Sequence, residues 1–443
     1  MFSAELALKI AAVDPARRVG HVRKISQSRI ESTGPLATVG EICEVECLPF
    51  GASAQSTVLA EVVALEEDGL ILMALDPSAS IAPEARVVAK PFHALAPVGD
   101  GFAGRAVDAF GAPIDGGPAV LASDAAPLVG QVMEPMDRLE PNTILETGIR
   151  AIDGPLALGR GQRIGIFAAS GVGKTTLMRQ LAAQVKCDLC VLCLVGERGR
   201  EVENIWSDLQ GSRQRYTMVA ATSDRSAFLR VRAVNQALAL SEYWRSRGRH
   251  VLLIIDSVTR YAMALREIGL ASGAPPTLRA YTPNVFSALP RLVERCGASK
   301  SGGSITSVIT VLSETDDNDD PIAEVMKSLL DGHILLSRSL AEQGHFPAID
   351  LLRSVSRQSE KIMSPNHGAA ARRATSLLAT YEESRLMIES GIYKPGANGR
   401  LDEAIKGREN VLAFLKQRNT EHVALAETVR ALQAAVVGGR AGA

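Results

Sequence analysis

A phosphate-binding loop is the strongest chemical signal in this sequence. Residues 168–175 are AASGVGKT and stand between the apolar run RIGIF and the helical pattern TLMRQLAAQVK. Glycines allow a tight turn that points several backbone N–H groups at phosphate oxygens, the lysine reaches the β- and γ-phosphates, and the adjacent hydroxyl binds Mg²⁺. The strict motif begins with glycine where this chain has Ala168, but the GKT triplet is intact. We therefore predict a triphosphate site formed by Ala169, Ser170, Gly171, Val172, Gly173, Lys174, Thr175 and Thr176.

An acidic residue, Asp256, ends the apolar segment HVLLIID. An apolar strand that ends in an acid beside a phosphate loop can hold Mg²⁺ through a water molecule. Many buried strands end in Asp, so this feature alone indicates little. Together with the phosphate loop it predicts a magnesium site, to which Thr175 and Asp256 contribute oxygens.

A charged segment, GERGRE, follows the apolar run DLCVLCLV. Ligands of α/β proteins bind at the carboxyl edge of the parallel sheet, so a carboxylate there can act on a nucleotide. Glu197 is the candidate for polarising the attacking water, and Arg198 beside it is a further candidate catalytic residue. Glu201 is the candidate for organising the water shell of the metal. The alternative is a solvated loop of alternating charges held by surface ion pairs.

The composition is that of a soluble globular protein with a sizeable core. Of 443 residues, 46% are hydrophobic and 22% charged, and 48 basic and 49 acidic residues give a formal net charge of −1. This balance provides no general attraction to nucleic acid or to a membrane surface. Aromatic residues, at 4%, offer few platforms for base stacking. We see no secretory signal and no apolar stretch of bilayer length, which predicts a cytosolic or peripheral protein.

Three of the six cysteines lie in the segment CDLCVLC, at positions 187, 190 and 193. This spacing is compatible with zinc or an iron–sulfur cluster. The segment is an apolar run that ends in a glycine loop, however, and no further Cys or His stands at a useful spacing for a fourth ligand. We therefore expect small buried side chains on a central strand rather than a metal site.

Three regions differ in their pattern of apolar residues, after an N-terminal segment assigned to residues 1–18. Residues 19–97 alternate short apolar runs with Gly, Pro and Asp, which predicts a small β-barrel or sandwich. Residues 98–362 include a linker near 137–147 and then alternate strands with helices, which predicts a mostly parallel sheet covered on both faces. Residues 363–443 show helical spacing and predict a C-terminal helical domain. The predicted fold class is α/β.

Six motifs occur in one order along the chain: TGIRAID, GRGQRIGIFAASGVGKTTL, GERGREV, FSALPRLVER, DGHILLSR and FPAIDLLRSVSR. With them the sequence resembles the rotary ATPase family, which includes the catalytic subunits of F-type and V-type synthases. The resemblance spans nearly the whole chain, and GERGREV, DGHILLSR and the form of the phosphate loop are most similar to the flagellar and type III export ATPases. It implies an N-terminal β-barrel, a central P-loop domain of the RecA/F1 type and C-terminal helices.

The resemblance assigns roles to single positions. The catalytic glutamate of the family matches Glu197, its strand-end acid matches Asp256, and its phosphate lysine and metal-binding hydroxyl match the GKT triplet. An arginine that reaches the nucleotide of the neighbouring subunit matches Arg357, and an aromatic residue that packs on adenine matches Phe346. Relatives often have tyrosine there, but phenylalanine keeps the stacking face. From the residues alone, Arg357 is an ordinary surface arginine and Phe346 a core residue.

The function implied by the resemblance is hydrolysis of MgATP by a homo-oligomeric ring, a hexamer, that energises the export of flagellar type III proteins. Such a ring releases chaperones and delivers substrates to the export gate. One subunit supplies the phosphate loop, Glu197 and Asp256, and the next supplies Arg357. The implied partners are further copies of the chain, a regulatory stator-like subunit, a coiled-coil stalk protein, the export gate and chaperone–substrate complexes, without nucleic acid. The implied location is the cytoplasmic face of the export apparatus, with a peripheral contact to the inner membrane.

Two further segments are candidate contact sites. The acidic loop at 314–321, ETDDNDDP, has the residues of a solvated loop before a helix. By resemblance it faces the stalk protein, although relatives usually have Gly in place of Thr315 and Asn in place of Asp319. The N-terminal MFSAELALKIAAV is mildly amphipathic and is a candidate for binding the regulatory subunit or a lipid surface, with a frayed terminus as the alternative.

Several other functions compete with flagellar export. A virulence-type injectisome ATPase shares every motif used above and is the main alternative. The catalytic subunit of an F-type synthase fits less well, because the C-terminal helices lack the acidic lever segment expected there. A ring-shaped RNA translocase requires a basic, aromatic-rich N-terminal surface, which this sequence lacks. A non-enzymatic ring subunit is expected to have lost Lys174 or Glu197, and the chain keeps both.

Overall fold

The computed structural model describes residues 17–26, 29–47, 57–76, 80–90, 95–130, 132–209, 214–312 and 320–437. Two of the predicted contact segments fall wholly or largely outside these residues, namely the N-terminal segment and the acidic loop. The chain divides into two compact units. The first runs to Gln131 and includes Leu192–Tyr243 and Arg260–Arg291, and the second contains Val132–Val191, Trp244–Thr259 and Leu292–Ala443.

Strands dominate the N-terminal part, alternate with helices in the middle and give way to helices at the end. The strands are β1 (Val19–Ser26), β2 (Arg29–Ser32), β3 (Ile42–Glu46), β4 (Thr57–Glu66), β5 (Gly69–Ala74), β6 (Arg86–Lys90), β7 (Leu95–Val98), β8 (Ala106–Val107), β9 (Asp124–Pro127), β10 (Arg138–Leu139), β11 (Ile144–Leu145), β12 (Leu158–Gly159), β13 (Arg163–Ala168), β14 (Leu189–Val195), β15 (Tyr216–Ala221), β16 (His250–Asp256), β17 (Gly297–Ser299), β18 (Ser304–Leu312), β19 (Gly332–Leu335) and β20 (Val355–Ser356). The helices are α1 (Arg150–Asp153), α2 (Lys174–Gln184), α3 (Gly199–Asp208), α4 (Ala227–Ser246), α5 (Val258–Ala271), α6 (Pro283–Glu294), α7 (Pro321–Leu329), α8 (Arg338–Glu342), α9 (Ser359–Ile362), α10 (Pro365–Glu383), α11 (Arg385–Glu389), α12 (Gly399–Leu415) and α13 (Leu425–Val437). None of these described helices is both long and apolar enough to cross a bilayer.

The first six strands close into an antiparallel barrel, in the order β1-β2-β5-β4-β3-β6. Strand β4 illustrates why they do so. Val58, Ala60 and Val62 are buried while the residues between them are partly exposed, and this alternation turns one face of the strand into the barrel. Side chains such as Val22, Ile30, Val45 and Val87 fill the interior. The predicted N-terminal β-barrel is confirmed.

Helix α4, also in the first unit, carries a buried arginine. Arg232 donates hydrogen bonds of 3.1 Å to the carbonyl oxygens of Ala109 and Leu95, and its guanidinium lies 4.4 Å from the ring centre of Phe110. A buried guanidinium is tolerated only when acceptors surround it. These contacts therefore fix α4 against the segment that follows the barrel.

A mostly parallel sheet forms the centre of the second unit, where the strand order is β20-β19-β13-β18-β16. Strand β13 pairs in parallel with β18 and β19, and β16 pairs in parallel with β18. Strands β16 and β18 are buried almost throughout, as expected for parallel strands covered on both faces. The carboxyl ends of parallel strands meet at one edge, so the residues that follow β13 lie beside the end of β16. The predicted parallel sheet is confirmed.

The predicted linker is more ordered than its composition indicates. Within it, β10 pairs with β17 in antiparallel fashion, and β11 pairs with β12. Arg138 on β10 forms a 2.6 Å ion pair with Glu294 and donates to the carbonyl oxygen of the same residue at 2.7 Å. The segment is therefore held at both ends by strand pairing within the second unit.

The C-terminal region is helical, as predicted. Ser364 caps the start of α10 and Asn398 caps the start of α12, each by accepting hydrogen bonds from backbone N–H groups of the first turn. Gly407 permits close packing of α12 on α10, because a Cβ there would lie 2.9 Å from Leu377. The helical pattern of this region is interrupted at Ser384, between α10 and α11.

Candidate active site

The loop between β13 and α2 owes its shape to two glycines in the left-handed region. Gly171 has φ +82° and Gly173 has φ +102°. A Cβ on either residue would meet no atom within 4 Å, so the backbone conformation rather than crowding requires glycine. Ala168 is the buried last residue of β13, and its backbone does not have a positive φ, so the first position of the motif does not require glycine here. Helix α2 begins at Lys174 and turns its N-terminus toward the loop, an arrangement that favours phosphate binding.

A buried carboxylate at the same edge of the sheet has two partners. Asp256 ends β16, and its side chain is 3% exposed. Its Oδ1 forms an ion pair with Nζ of Lys174 and accepts a 2.6 Å hydrogen bond from Oγ1 of Thr310 on β18. Burying a carboxylate is costly unless it is paired and hydrogen-bonded. The structure thus brings together two predicted site residues, Lys174 and Asp256, and adds Thr310, which sequence patterns do not single out.

A cavity of about 660 Å³ lies beside the phosphate loop. Val172, Gly173 and Thr176 line it from the loop and from α2, Phe346 lines it from the segment before α9, and residues 416–421 line it from the connection between α12 and α13. Phe346 is 49% exposed, so the interpretation of this residue as part of the core is wrong. The volume is within the range of small-molecule sites in proteins. Several predicted nucleotide-binding residues therefore share one cavity.

Gln417 links the C-terminal wall of this cavity to three backbone segments. Oε1 of Gln417 accepts a 2.7 Å hydrogen bond from the backbone N–H of Arg150. Its Nε2 donates to the carbonyl oxygens of Gly148 at 2.7 Å and Glu421 at 2.9 Å. Its own N–H donates to the carbonyl oxygen of Phe346 at 2.9 Å. Sequence analysis missed Gln417, because its partners are backbone groups that no motif marks.

Hydrogen bonds also join this wall to its surroundings. Gln184, the last residue of α2, donates Nε2 to the carbonyl oxygen of Glu421 at 2.9 Å, and Gln417 donates to that same oxygen. In the neighbouring turn, Asp153 accepts a 2.7 Å hydrogen bond from the hydroxyl of Thr147, and burial raises the pKa of Asp153 to about 6. The wall is therefore positioned by directional contacts, which fix geometry more tightly than apolar packing does.

Glu197, Arg198 and Glu201 belong to the first unit, at the turn from β14 into α3. Gly196 makes this turn with φ +69°. The carbonyl oxygen of Glu197 accepts a 3.0 Å hydrogen bond from the N–H of Ser223, and Arg198 is exposed. Glu201 lies in the first turn of α3, where the positive end of the helix dipole stabilises a carboxylate. The catalytic and metal-binding roles of these three residues stay predictions.

Arg357 follows β20 at the edge of the sheet of the second unit. Its backbone N–H donates to the carbonyl oxygen of Asp331 at 3.0 Å, and its exposed guanidinium donates to the carbonyl oxygen of Lys327 at 3.2 Å. The carboxylate of Asp331 in turn accepts two 2.9 Å hydrogen bonds from the guanidinium of Arg163. The backbone at Arg357 is thus fixed, while its side chain faces outward. Its action on a neighbouring subunit stays a prediction.

The cysteines lie where the strand interpretation places them. Cys190 and Cys193 are buried on β14, and Cys187 precedes the strand. The thiol of Cys193 lies 3.7 Å from the carbonyl oxygen of Ala233, to which it donates. In the ranges that the structure describes, no group of three or more His, Cys, Asp or Glu side chains is arranged to hold a metal ion.

Known proteins match both the sequence and the fold. Residues 148–356 match the model of the ATP synthase alpha/beta family, nucleotide-binding domain, and residues 363–434 match the T3SS EscN ATPase C-terminal domain. The chain is 44% identical over 429 residues to the flagellum-specific ATP synthase of Bacillus subtilis (strain 168), with 96% of each chain covered. It is 40% identical over 431 residues to the type 3 secretion system ATPase of Xanthomonas euvesicatoria, again with 96% of each covered.

Solved structures extend the comparison. The assembled ATPase EscN of the type III secretion system of enteropathogenic E. coli superposes with a TM-score of 0.88 at 38% identity, covering 94% of this chain and 100% of that one. EscN in complex with its central stalk EscO gives a TM-score of 0.84 at 37% identity, with the same coverage. The chain therefore belongs to the ATP synthase alpha/beta family, within the group of flagellum-specific and type 3 secretion system ATPases.

Proposed function

We propose that this protein hydrolyses MgATP in a homohexameric ring and thereby energises flagellar type III protein export. One observation carries the proposal. The glycine loop, the Lys174–Asp256 pair and a cavity that exposes the ring of Phe346 lie together in the second unit. A nucleoside triphosphate needs one part of the site for its phosphates and another for its base. Membership of the family supports ATP as the substrate.

The donor set at the loop suits magnesium. Thr175 is the second residue of α2, and Asp256 ends the strand whose carboxylate pairs with Lys174. Mg²⁺ usually takes one or two protein oxygens and fills its other positions with water and substrate phosphates, so a hydroxyl and a carboxylate fit it. When bound, the ion neutralises charge on the phosphates. Glu201 is proposed to order its water shell.

Hydrolysis is proposed to use residues of two subunits. Glu197 polarises the attacking water, Arg198 stands beside it, and Arg357 of the next subunit neutralises charge that develops on the transferred phosphoryl group. An outward-facing guanidinium on a fixed backbone supports this role for Arg357. The related EscN structure is described as assembled, which supports a ring.

Further partners follow from the same relatives. EscN has been solved with its central stalk EscO, and we propose that a corresponding coiled-coil protein enters the ring channel here. A stator-like regulatory subunit, the export gate and chaperone–substrate complexes, with chaperone release, are proposed on the family resemblance. The proposed location is the cytoplasmic face of the export apparatus, with a peripheral contact to the inner membrane. An injectisome ATPase is the second candidate, because relatives of both kinds lie at 40–44% identity.

The test is the ATPase rate per chain as a function of protein concentration, with and without vesicles of acidic phospholipid. We expect the rate to rise cooperatively with concentration. Arg357→Ala is expected to bind ATP and lose turnover by about 10³-fold or more, and Glu197→Gln is expected to bind ATP without hydrolysing it. Arg338→Ala removes an exposed arginine that pairs with Glu342 on its own helix and serves as the matched control. A rate independent of concentration, with normal turnover in Arg357→Ala, would exclude catalysis at a ring interface.

A further inference from the structure

A buried glutamine connects the start of β13 to the short strand that precedes Arg357. Gln162 lies directly before β13 and is 0% exposed. Its Oε1 accepts a 2.7 Å hydrogen bond from the backbone N–H of Gly159. Because that N–H can only donate, Nε2 is the atom that faces the remaining two partners, both of them oxygens. It donates, at 3.2 Å each, to the carbonyl oxygen of Asp331 and to Oγ of Ser356.

Both acceptors of Nε2 lie next to Arg357. Ser356 precedes Arg357 in the chain. The carbonyl oxygen of Asp331 also accepts a 3.0 Å hydrogen bond from the backbone N–H of Arg357. A carbonyl oxygen has two lone pairs and can accept both bonds. One oxygen atom is therefore shared between the side chain of Gln162 and the backbone of Arg357.

Strand β20 has little support from the sheet itself. It contains two residues, stands at the end of the strand order and pairs with β19 on one side. Two residues at a sheet edge contribute few ladder hydrogen bonds. The hydroxyl of Ser356 adds two bonds on the buried side, because it accepts from Gln162 and donates to the carbonyl oxygen of Ala157 at 3.0 Å. Arg357, the next residue, is exposed.

We infer that Gln162 is a positioning residue for hydrolysis in the neighbouring subunit, because it holds β20 and thereby sets where the guanidinium of Arg357 lies. The inference rests on the proposed function, since it requires Arg357 to act on the nucleotide of the next subunit. A group that stabilises a transition state has to be placed within a fraction of an ångström. A misplacement of about 1 Å can reduce the rate about 10²-fold.

The alternative is an effect of Gln162 on the phosphate loop of its own subunit, which follows β13. That strand is paired in parallel with β18 from Arg163 to Ala168 and with β19 from Ile164 to Phe167. Neighbours on both sides hold β13, and with it the start of the loop, without help from Gln162. Strand β20 has no comparable pairing on two sides in the described sheet. The contacts therefore favour an action through Arg357.

The first variant is Gln162→Met, which keeps the length and unbranched shape of the side chain and removes its hydrogen bonds. We expect kcat to fall roughly tenfold to hundredfold. The affinity for ATP, measured by equilibrium binding of a fluorescent analogue, is expected to stay that of the wild type. Gln236→Met is the matched control, because Gln236 in the first unit is also 0% exposed and donates to the carbonyl oxygen of Pro97 at 2.7 Å. This control is expected to keep the kcat of the wild type.

Mixed rings show in which subunit Gln162 acts. Arg357→Ala and Glu197→Gln form the reference pair, which is expected to regain hydrolysis on mixing, because roughly one interface in four then joins an intact site to an intact arginine. Gln162→Met is expected to regain hydrolysis with Glu197→Gln, which supplies an intact Arg357, and not with Arg357→Ala. The readout is the ATP hydrolysed in a single turnover with protein in excess, since this does not require every site of a ring to work.

Three results overturn the inference while the proposed function stands. One is a Gln162→Met with the kcat of the wild type. Another is recovery of this variant with Arg357→Ala, which would assign its defect to its own phosphate loop, and the third is recovery with neither partner. Should Gln162→Met fail to fold, Ser356→Ala removes one acceptor of the same Nε2 and is expected to show the same pattern of recovery. If the reference pair itself stays inactive, the sites are not shared between subunits, and the proposed ring mechanism fails together with the inference.

Discussion

The hydroxyl of Thr310 donates a 2.6 Å hydrogen bond to Oδ1 of Asp256 across two parallel strands. The strands are paired in register through Ile255 and Ile309, so the two residues that follow these stand side by side. The same oxygen pairs with Lys174. Thr310 therefore orients the carboxylate that we propose for the metal site and takes up one of its lone pairs.

Replacing Thr310 tests that relationship. Thr310→Val keeps the shape of the side chain and removes the donor, so kcat is expected to fall roughly tenfold to hundredfold, as for other residues that orient a metal ligand. The free energy of unfolding is expected to fall by about 1 kcal/mol. Steady-state kinetics at saturating Mg²⁺ and thermal denaturation measure the two effects. Thr310→Ser keeps the hydroxyl and should retain most activity; a fully active Thr310→Val would show that the hydrogen bond does not matter.

Gln417 is expected to control nucleotide affinity without touching the phosphates. Gln417→Leu leaves the N–H of Arg150 and the carbonyl oxygen of Gly148 without their partner, which loosens the cavity wall. KM for ATP is expected to rise about tenfold, with a smaller change in kcat. Gln417→Glu keeps the acceptor for the N–H of Arg150. Its KM for ATP is therefore expected to lie between those of the wild type and Gln417→Leu. Kinetics over a range of ATP concentrations separate KM from kcat, and an unchanged KM in Gln417→Leu would contradict the positioning role.

Phe346 is expected to contribute a stacking face and little else. Phe346→Ala should raise KM for ATP by about tenfold or more, because stacking of a base on an aromatic ring contributes about 1–3 kcal/mol. Phe346→Tyr retains the ring and should behave as the wild type. Equilibrium binding of a fluorescent ATP analogue provides an independent measurement. If the alanine variant bound nucleotide as tightly as the tyrosine variant, the base would have to lie elsewhere.

Because of His250, we expect the free energy of unfolding to fall toward acidic pH. Burial lowers its pKa to about 4, and its Nε2 lies 2.9 Å from Oγ1 of Thr306. In the unfolded chain histidine titrates near its ordinary pKa of about 6.5, so between these values the unfolded state binds a proton that the folded state does not. The contribution of His250 to the free energy of unfolding is therefore fully present above pH 6.5 and is lost as the pH falls toward 4.

The measurement for His250 is thermal denaturation at pH 7 and pH 5. This single group is expected to cost the wild type about 2 kcal/mol at the lower pH. His250→Gln removes the titration and should reduce the pH-dependent part of the change, whatever its effect on stability at pH 7. Burial also lowers the pKa of His345 to about 4. This second histidine is expected to leave some dependence of stability on pH in His250→Gln. An identical decline in both proteins would exclude His250 as its source.

The phosphate loop and its flanking elements are predictable because their signals are local. A short apolar run, two glycines and a GKT triplet predict a strand, a turn and a helix start, and β13 and α2 follow that pattern. Thr310 and Gln417 are not predictable in this way. Thr310 is 54 residues from Asp256, and Gln417 is 267 residues from Arg150. Contacts over such distances depend on strand order and helix docking, which no short pattern encodes.

Residue type alone does not indicate the surroundings of two segments, for physical reasons. Phe346 has the side chain of a core residue, yet it is half exposed, because it faces a cavity that residues 416–421 complete. The predicted linker at 137–147 is mostly polar, as a loop is, yet its β10 pairs with β17 and its β11 pairs with β12. In both cases the sequence of the segment does not indicate which other residues it contacts in the fold.

The late position of residues 416–421 in the chain has a consequence during synthesis of the protein. A ribosome makes the glycine loop and α2 long before it reaches this wall, so for much of synthesis a growing chain carries Gln184 without the Glu421 carbonyl to which it donates. Such a chain contains the glycine loop but lacks the residues that complete the cavity beside it. On the proposed function, the site for the base is therefore complete only after the C-terminal helices have been synthesised.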